Sequence, residues 1–167
     1  MFGKRSQTER PPKQSTRVRQ LKRDSATPKV LLTIDGSECS DRAVKHLIHL
    51  VKSSQPMDVH LLNVQPPIMA GEISPIVTTK MVGNLHHDKG EKTAVSARAM
   101  LDDAGIQYTF RIELGHIAET VAQYAQNNQC EQIIMGTRGM GAMGNLILGS
   151  VATKVIHLVD VPVTLVK

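Results

Sequence analysis

The sequence predicts an α/β domain in which a parallel sheet is covered by helices on both faces. Short apolar runs of four to seven residues alternate along the chain with longer stretches whose apolar residues recur at helical spacing. This alternation is typical of consecutive β-α-β units, which build parallel sheets. The length of 167 residues suits one domain of this class.

The strands are predicted from compact apolar runs. The first of them, KVLLTI, has the near-continuous apolar character of a strand buried on both faces. The run QYTFRIE instead alternates between apolar and polar residues, as a half-buried strand does. The predicted strands cover residues 29–34, 59–64, 107–113, 132–135 and 161–166.

The helices are predicted from apolar stripes at helical spacing. The first stripe includes Ala43, Val44 and Leu47, and Gly105 closes the second helix. The predicted helices cover residues 42–52, 90–105, 117–128 and 150–159. Residues 65–88 have no clear period and are too long for an ordinary connection, so we expect a functional loop or a partly helical one, with His86 and His87 as loop residues.

Residues 1–28 form a basic tail that differs in composition from the predicted domain, residues 29–167. The tail carries eight Lys or Arg and two Asp or Glu, whereas the rest carries twelve and thirteen, so the net charge of +5 belongs to the tail. Its few apolar residues cannot offset the entropy of ordering, and we expect disorder. Two interpretations stay open: an electrostatic arm for an anionic partner, or a solvated tail without a fixed partner.

Several classes of protein are disfavoured by composition. No apolar run approaches the roughly 20 residues of a membrane helix, and the N-terminus lacks the apolar core of a secretory signal. Cys39 and Cys130 have neither disulfide-framework nor zinc-ligand spacing. We therefore expect a cytoplasmic protein with reduced thiols and no membrane insertion.

The stretch MGTRGMGAMGNLILGS, residues 135–150, contains five glycines in sixteen residues. The Walker pattern of P-loop NTPases is absent. The segment GMGAMG matches the dinucleotide pattern G-x-G-x-x-G, and Asp160 follows about 20 residues later. However, that pattern belongs after the first strand of its fold and its acid after the second, whereas here the glycines follow the fourth predicted strand and Asp160 precedes the last. A dinucleotide site is therefore disfavoured.

A second pattern uses other positions of the same stretch. Gly136, Gly139, Gly149 and Ser150 give G-x2-G-x9-G-[ST]. With KVLLTIDGSECSDRAVKHL at the start of the domain and LGSVATKVIHLVDVPVTLVK at its end, the chain resembles the universal stress protein family, in its ATP-binding branch, over nearly all of residues 29–167. The resemblance implies an open, Rossmann-like sheet of five parallel strands in the order 3-2-1-4-5. It also implies bound ATP with Mg²⁺ or Mn²⁺, and a homodimer that pairs through residues 161–166.

The resemblance further implies a set of nucleotide-binding residues at the carboxyl ends of the strands. Asp35 is expected at the ribose hydroxyls or a metal-bridged phosphate, Val64 against adenine, and Gly115 at the border of the crevice. The complete set is Thr33, Asp35, Val64, Gly115, Met135, Gly136, Arg138, Gly139, Gly149, Ser150 and Val151.

The chemistry of the glycine-rich stretch agrees with that set. Gly136 ends a strand, where a turn needs open φ/ψ space, and the absence of Cβ atoms lets phosphate oxygens approach the other two glycines of the pattern. Ser150 begins a helix, whose free amides attract anions, and Arg138 supplies a cation. Two alternatives stay open: each glycine alone fits a tight turn, and Asp35 fits a turn or helix cap.

The sequence therefore predicts an ATP-binding, regulatory stress-response protein. One alternative is a slow ATPase or autophosphorylating enzyme, with Ser150 or Thr153 as phosphate acceptor. Another is an interaction module that uses the basic tail on nucleic acid. Because no nucleophile–base arrangement and no dedicated general base is evident, we expect no catalytic residues.

Overall fold

The computed structural model describes residues 27–54, 56–67, 79–140 and 148–167. The predicted basic tail lies outside the described residues apart from its last two, and its role stays a prediction. Within the described part of the chain, no helix is long and apolar enough to cross a membrane.

Five strands and four helices alternate along the chain. The strands are β1 (Lys29–Ile34), β2 (Asp58–Gln65), β3 (Tyr108–Leu114), β4 (Gln132–Gly136) and β5 (Val163–Val166). The helices are α1 (Glu38–Ser53), α2 (Thr79–Asp103), α3 (Ile117–Asn127) and α4 (Ser150–Leu158).

All strand pairs are parallel, and the sheet order is β3-β2-β1-β4-β5. The predicted fold class and strand order are both confirmed. The chain first builds outward from β1 to β3 and then crosses back to add β4 on the other side of β1. This reversal leaves a crevice above the carboxyl ends of β1 and β4, where ligands bind in open α/β sheets.

The two faces of the sheet carry separate apolar clusters. Alternate residues of β1 show this, because Leu32 packs with α1 and α2 whereas Leu31 packs with α3 and α4. The largest fully buried side chains of the helices are Val44, Leu47 and Leu101 on the first face and Val121 on the second. Burying one such side chain contributes about 1.5–3 kcal/mol, so the helices hold the strand ends in fixed positions.

The helix α1 begins earlier than its apolar stripe. Ser37 is its N-cap, and the Ser37 side chain accepts a hydrogen bond from the Ser40 amide at 3.2 Å. Glu38 and Asp41 occupy the first turn, where carboxylates favour the positive end of the helix dipole. The cap therefore fixes the start of α1 directly after the turn that follows β1.

The helix α2 also begins earlier than predicted, at Thr79 rather than at residue 90. The prediction of His86 and His87 as loop residues is wrong, because both lie in α2; His86 is buried, and His87 lies 3.9 Å from Glu91 one turn later. The apolar period is weak there: of residues 85–89, the buried one is the polar His86, whereas Leu85 is exposed. Gly90, at the start of the predicted helix, packs closely, since an added Cβ would lie 2.8 Å from side-chain atoms of Ile112. Residues 68–78, the remainder of the unassigned stretch, lie outside the described residues.

Gly136 is explained by packing rather than by the φ/ψ freedom that was predicted. It is not among the described glycines with positive φ. An added Cβ would lie 2.9 Å from Cys39 Cβ and 3.1 Å from the Ser40 amide nitrogen, so the strand end touches the backbone of α1. This contact sets the distance between β4 and the first turn of α1.

A Gly136→Ala variant tests this contact. The added methyl group meets backbone atoms that cannot rotate away, so we expect the free energy of unfolding to fall by about 1–3 kcal/mol. Urea denaturation measures the change, and an unchanged slope against urea shows that the variant still unfolds as the parent does. Equal stability of variant and parent would contradict the close approach.

His60 is a buried residue of β2 that contacts two partly exposed polar side chains at the other end of the sheet. Its Nδ1 is 2.9 Å from the Tyr124 hydroxyl, and its Nε2 is 3.7 Å from Asp58 Oδ2. Burial lowers the pKa of His60 below its ordinary value of 6.5; the Asp58 carboxylate opposes this shift, and the Lys29 ammonium adds to it. The folded protein therefore resists protonation of His60 more than the unfolded chain does.

We expect stability to fall as the pH drops through about 6.5, because the unfolded chain then takes up a proton that folded His60 resists. Urea unfolding of the parent and of His60→Gln at about pH 7.5 and pH 5.5 measures this. The variant should lose less free energy of unfolding on acidification than the parent. His49→Gln, at an exposed position of α1, is the control. If the parent and His60→Gln lose the same free energy of unfolding on acidification, a lowered pKa of His60 in the folded protein is refuted.

Candidate functional site

A cavity of about 730 Å³ lies above the carboxyl ends of β1, β2 and β4. Its volume is within the range typical of small-molecule sites. Every residue of the predicted binding set except Gly115 lines it, namely Thr33, Asp35, Val64, Met135, Gly136, Arg138, Gly139, Gly149, Ser150 and Val151. Residues that are separated by more than 100 positions in the sequence thus meet at the point where the strand order reverses.

Gly115 does not line this cavity. Its amide donates to the Gln65 carbonyl at 3.1 Å, which extends the pairing between β2 and β3. An added Cβ would lie 2.5 Å from Thr120 Oγ1, so a larger residue here would displace the Thr120 side chain in the first turn of α3. The packing of that turn accounts for this glycine without a ligand.

The Asp35 carboxylate connects the two loops at the centre of the site. Its Oδ1 accepts a hydrogen bond from the Ser37 amide at 3.0 Å, and its Oδ2 accepts one from the Met140 amide at 3.0 Å. The alternative interpretation of Asp35 as a turn cap is therefore supported by the first of these bonds. The second bond does more, because it holds the glycine-rich loop after β4 against the turn after β1.

Gly139 permits the bond between Asp35 and Met140. A Cβ at Gly139 would lie 2.4 Å from Asp35 Oδ2, which is much closer than real carbon–oxygen contacts. A second bond supports the same arrangement, because Ser37 Oγ donates to the Arg138 carbonyl at 3.2 Å. Gly139 thus makes room for a hydrogen bond within the protein, and it places no side chain between the backbone and the cavity.

Gly149 and Ser150 place the start of α4 at the cavity wall. The Gly149 amide donates to the Thr137 carbonyl at 2.7 Å, and Gly149 is the N-cap of α4. Gly149 supplies no capping side chain, and in the part of the chain that the structure describes no other side chain caps this helix. The amides of its first turn therefore lack a side-chain acceptor and form a local positive potential, which is the arrangement that binds anionic groups.

The charged side chains at the wall are few. Among the described residues, Asp35 is the one carboxylate in the cavity lining, and Lys89 and Arg138 are the cations. The Arg138 Nε and the Thr137 Oγ1 are buried without a hydrogen-bond partner among the described residues. The described residues contain no group of three or more His, Cys, Asp or Glu side chains that can hold a metal ion.

Several lining residues were missed by the sequence interpretation. Lys89 and Thr93 come from α2, and Asn63 and Gln65 come from β2. Thr93 lies directly over the turn after β1, since a Cβ added to Gly36 would be 3.4 Å from its Cγ2. No local pattern marks these positions. The alternation of β2 does predict that Asn63 and Gln65 share a face. Because buried amides need hydrogen-bond partners, two amides on one face of a buried strand indicate a polar site.

Comparison with known proteins places the chain in one family. The sequence profile of the Universal stress protein family matches residues 27–167. A universal stress protein from Thermus aquaticus is 32% identical over 141 residues, which cover 83% of this chain and 97% of that protein. The solved structure of hypothetical protein MJ0577 is 26% identical with a TM-score of 0.69, and the match covers 84% of this chain and 95% of that one.

Two further solved structures share the fold and contain adenine nucleotides. A universal stress protein from Archaeoglobus fulgidus in complex with dAMP has a TM-score of 0.60 at 15% identity, covering 85% of this chain and 98% of that one. A universal stress protein family protein from Arabidopsis thaliana with AMP bound has a TM-score of 0.58 at 19% identity, and the match covers 84% of this chain and 91% of that one. From its match to the family profile along the whole described domain, we conclude that the chain belongs to the universal stress protein family.

Proposed function

We propose that the cavity binds ATP, with Mg²⁺ or Mn²⁺ on its phosphates, and that the protein acts as a nucleotide-dependent regulator. The observation that carries the proposal is the convergence of the glycine-rich loop, the uncapped start of α4 and the Asp35 carboxylate on one cavity. The adenine nucleotides bound by two solved proteins of the same fold support it.

The phosphates are assigned to the start of α4. Its first amides and the Ser150 hydroxyl supply donors, and Gly139 and Gly149 keep side chains out of their path. Charge-assisted hydrogen bonds of this kind are roughly twice as strong as neutral ones. Arg138 and Lys89 add positive charge at the wall.

The nucleoside is assigned to the other end of the cavity. Each carboxylate oxygen of Asp35 accepts one hydrogen bond from a main-chain amide. Each oxygen can accept a second hydrogen bond, which a ribose hydroxyl donates in this proposal. Thr33 and Val64 border the space toward β2, where the base lies in this proposal.

The metal ion is proposed to arrive with the nucleotide. Mg²⁺ prefers oxygen ligands and keeps several waters, so it commonly uses substrate phosphates and one or two carboxylates. Asp35 fits the second role, and it is the acidic side chain that the described part of the lining offers.

The cavity wall argues against rapid turnover. The lining side chains that the structure describes include no histidine, and Asp35, the one carboxylate among them, already accepts hydrogen bonds from two amides. Thr153 is absent from the lining, and its hydroxyl donates to the Gly149 carbonyl at 3.0 Å. We therefore propose binding, rather than hydrolysis or phosphate transfer, as the primary activity.

Gly139→Val tests the binding proposal. The branched side chain collides with Asp35 Oδ2 and occupies the path of the phosphates, so we expect ATP affinity to fall at least about tenfold, which is about 1.4 kcal/mol. Titration calorimetry in the presence of Mg²⁺ measures it. Ala99→Val, at an exposed position of α2, introduces the same side chain away from the cavity and should bind as the parent does. Parent-like affinity in a folded Gly139→Val variant would show that the loop does not hold the nucleotide.

The second part of the proposal is a homodimer through the edge strand β5. The strand lies at one edge of the sheet with its other side unpaired in the described chain. Val163 and Leu165 pack toward α3 and α4, whereas Val166 packs toward α1 and α2, so the strand is anchored on both faces. An exposed apolar edge invites pairing with another chain, and antiparallel pairing of two copies of β5 gives a closed two-fold dimer.

The register identifies the amides available for that pairing. The Ile133 amide donates to the Pro162 carbonyl, and Ile133 pairs with Val163. In a parallel ladder this requires the Thr164 amide to donate back to β4, so the amides of Val163 and Leu165 point to the open edge. Residues 161 and 162 precede the strand rather than belong to it.

Val163→Pro removes an outward amide at the start of β5, where proline is tolerated, and leaves the bonds to β4 in place. We expect the variant to sediment as a monomer at micromolar concentration and the parent as a dimer. Thr164→Pro breaks the ladder to β4 and should instead lower the melting temperature. A monomeric parent refutes the dimer, and a dimer that persists in a folded Val163→Pro variant places the interface elsewhere.

A further inference from the structure

Two buried carboxamides stand side by side at the end of β2. Asn63 and Gln65 are 1% and 5% exposed, and both line the cavity. They share a face of the strand because side chains alternate along it. Buried amides need hydrogen-bond partners, and the partners of these two fix how each amide is oriented.

The orientation is set by the end of β1. Asn63 Nδ2 donates to the Ile34 main-chain carbonyl at 2.8 Å. A carbonyl oxygen accepts only from the nitrogen of a carboxamide, so Asn63 Oδ1 must be the atom that faces Gln65. It accepts from Gln65 Nε2 at 2.5 Å. The main chain of β1 thereby determines which end of the Gln65 side chain carries the oxygen.

This arrangement leaves Gln65 with one acceptor and one donor for a ligand. Its Nε2 uses one of two hydrogens on Asn63, and no donor reaches its Oε1 from the described residues. Adenine presents an exocyclic amine beside a ring nitrogen, which a glutamine amide pairs with at two points. Guanine and hypoxanthine present a carbonyl oxygen in place of the amine, and that oxygen would face Oε1 without a hydrogen between them.

We propose that Gln65 determines base specificity at this site, selecting adenine over guanine and hypoxanthine, with Asn63 as the residue that positions it. The proposal rests on the proposed nucleotide site. It adds a side chain outside the glycine-rich loop, on the strand next to the base. Because Asn63 holds the amide in one orientation, Gln65 cannot rotate to favour the other bases without losing a buried hydrogen bond.

The test compares the dissociation constants of ATP, ITP and GTP for the parent and for Gln65→Met, measured with Mg²⁺ present. The parent should bind ATP at least about tenfold more tightly than ITP or GTP, since leaving a buried polar group unpaired costs about that factor. In Gln65→Met, which keeps the length of the side chain and removes both polar atoms, the preference should fall to within about twofold, mainly through weaker ATP binding. Gln126→Met, at an exposed position of α3, is the matched control and should keep the parent's preference.

The outcomes separate this inference from the proposed function. A parent that binds ATP and ITP equally, or a folded Gln65→Met variant that keeps the full preference for ATP, overturns the role of Gln65 and leaves nucleotide binding intact. A parent that binds none of the three triphosphates overturns the proposed function itself. The comparison of ATP with ITP on the parent needs no variant, so a misfolded Gln65→Met protein does not prevent a decision.

Discussion

The bond between Asp35 and the Met140 amide is the contact on which the rest of the site depends. It joins the turn after β1 to the loop after β4, which are more than 100 residues apart in sequence and adjacent in the sheet. The contact exists only because position 139 lacks a Cβ. A separate bond, from the Gly149 amide to the Thr137 carbonyl, places the start of α4 at the same crevice.

This contact in turn requires the topology of the sheet. A chain that added its strands in sequence order would place β4 next to β3, far from Asp35. The return crossing puts β4 against β1, and Gly136 lets β4 approach the first turn of α1 to within van der Waals distance. Two apolar clusters, one on each face, hold the strands of the sheet against the helices.

The sequence was sufficient for the parts of the fold that have local signals. Apolar runs marked the strands, and helical stripes marked α1, α3 and the second half of α2. The beginning of α2, before residue 90, could not be predicted, because it lacks an apolar period: the polar His86 is buried there and Leu85 is exposed. The prediction for residues 161–166 was close, yet only the register shows that β5 begins at Val163 and which of its amides are free to pair.

The residues of the candidate site show the same difference between local sequence signals and tertiary contacts. The glycine spacing and Asp35 were predicted from the sequence, and the structure brings them to one cavity. The sequence could not show why glycine occupies these positions, because the contacts that require it form only in the folded protein. Gly136 touches α1, Gly139 makes room for Asp35, and Gly115 packs at α3 away from the cavity. Gln65 and Lys89 carry no motif and become site residues only when β2 and α2 are placed beside β1.

The most direct test of the central claim is a titration of the protein with ATP and Mg²⁺, followed residue by residue through the backbone amide signals in two-dimensional NMR. Binding at the proposed cavity should move the amides of Met140, Gly149, Ser150 and Val151 most strongly. The amides at the far end of the sheet, such as those of His60 and Cys130, should stay in place. Unchanged spectra at millimolar ATP, or shifts confined to that far end, would contradict the assignment of this cavity as the nucleotide site.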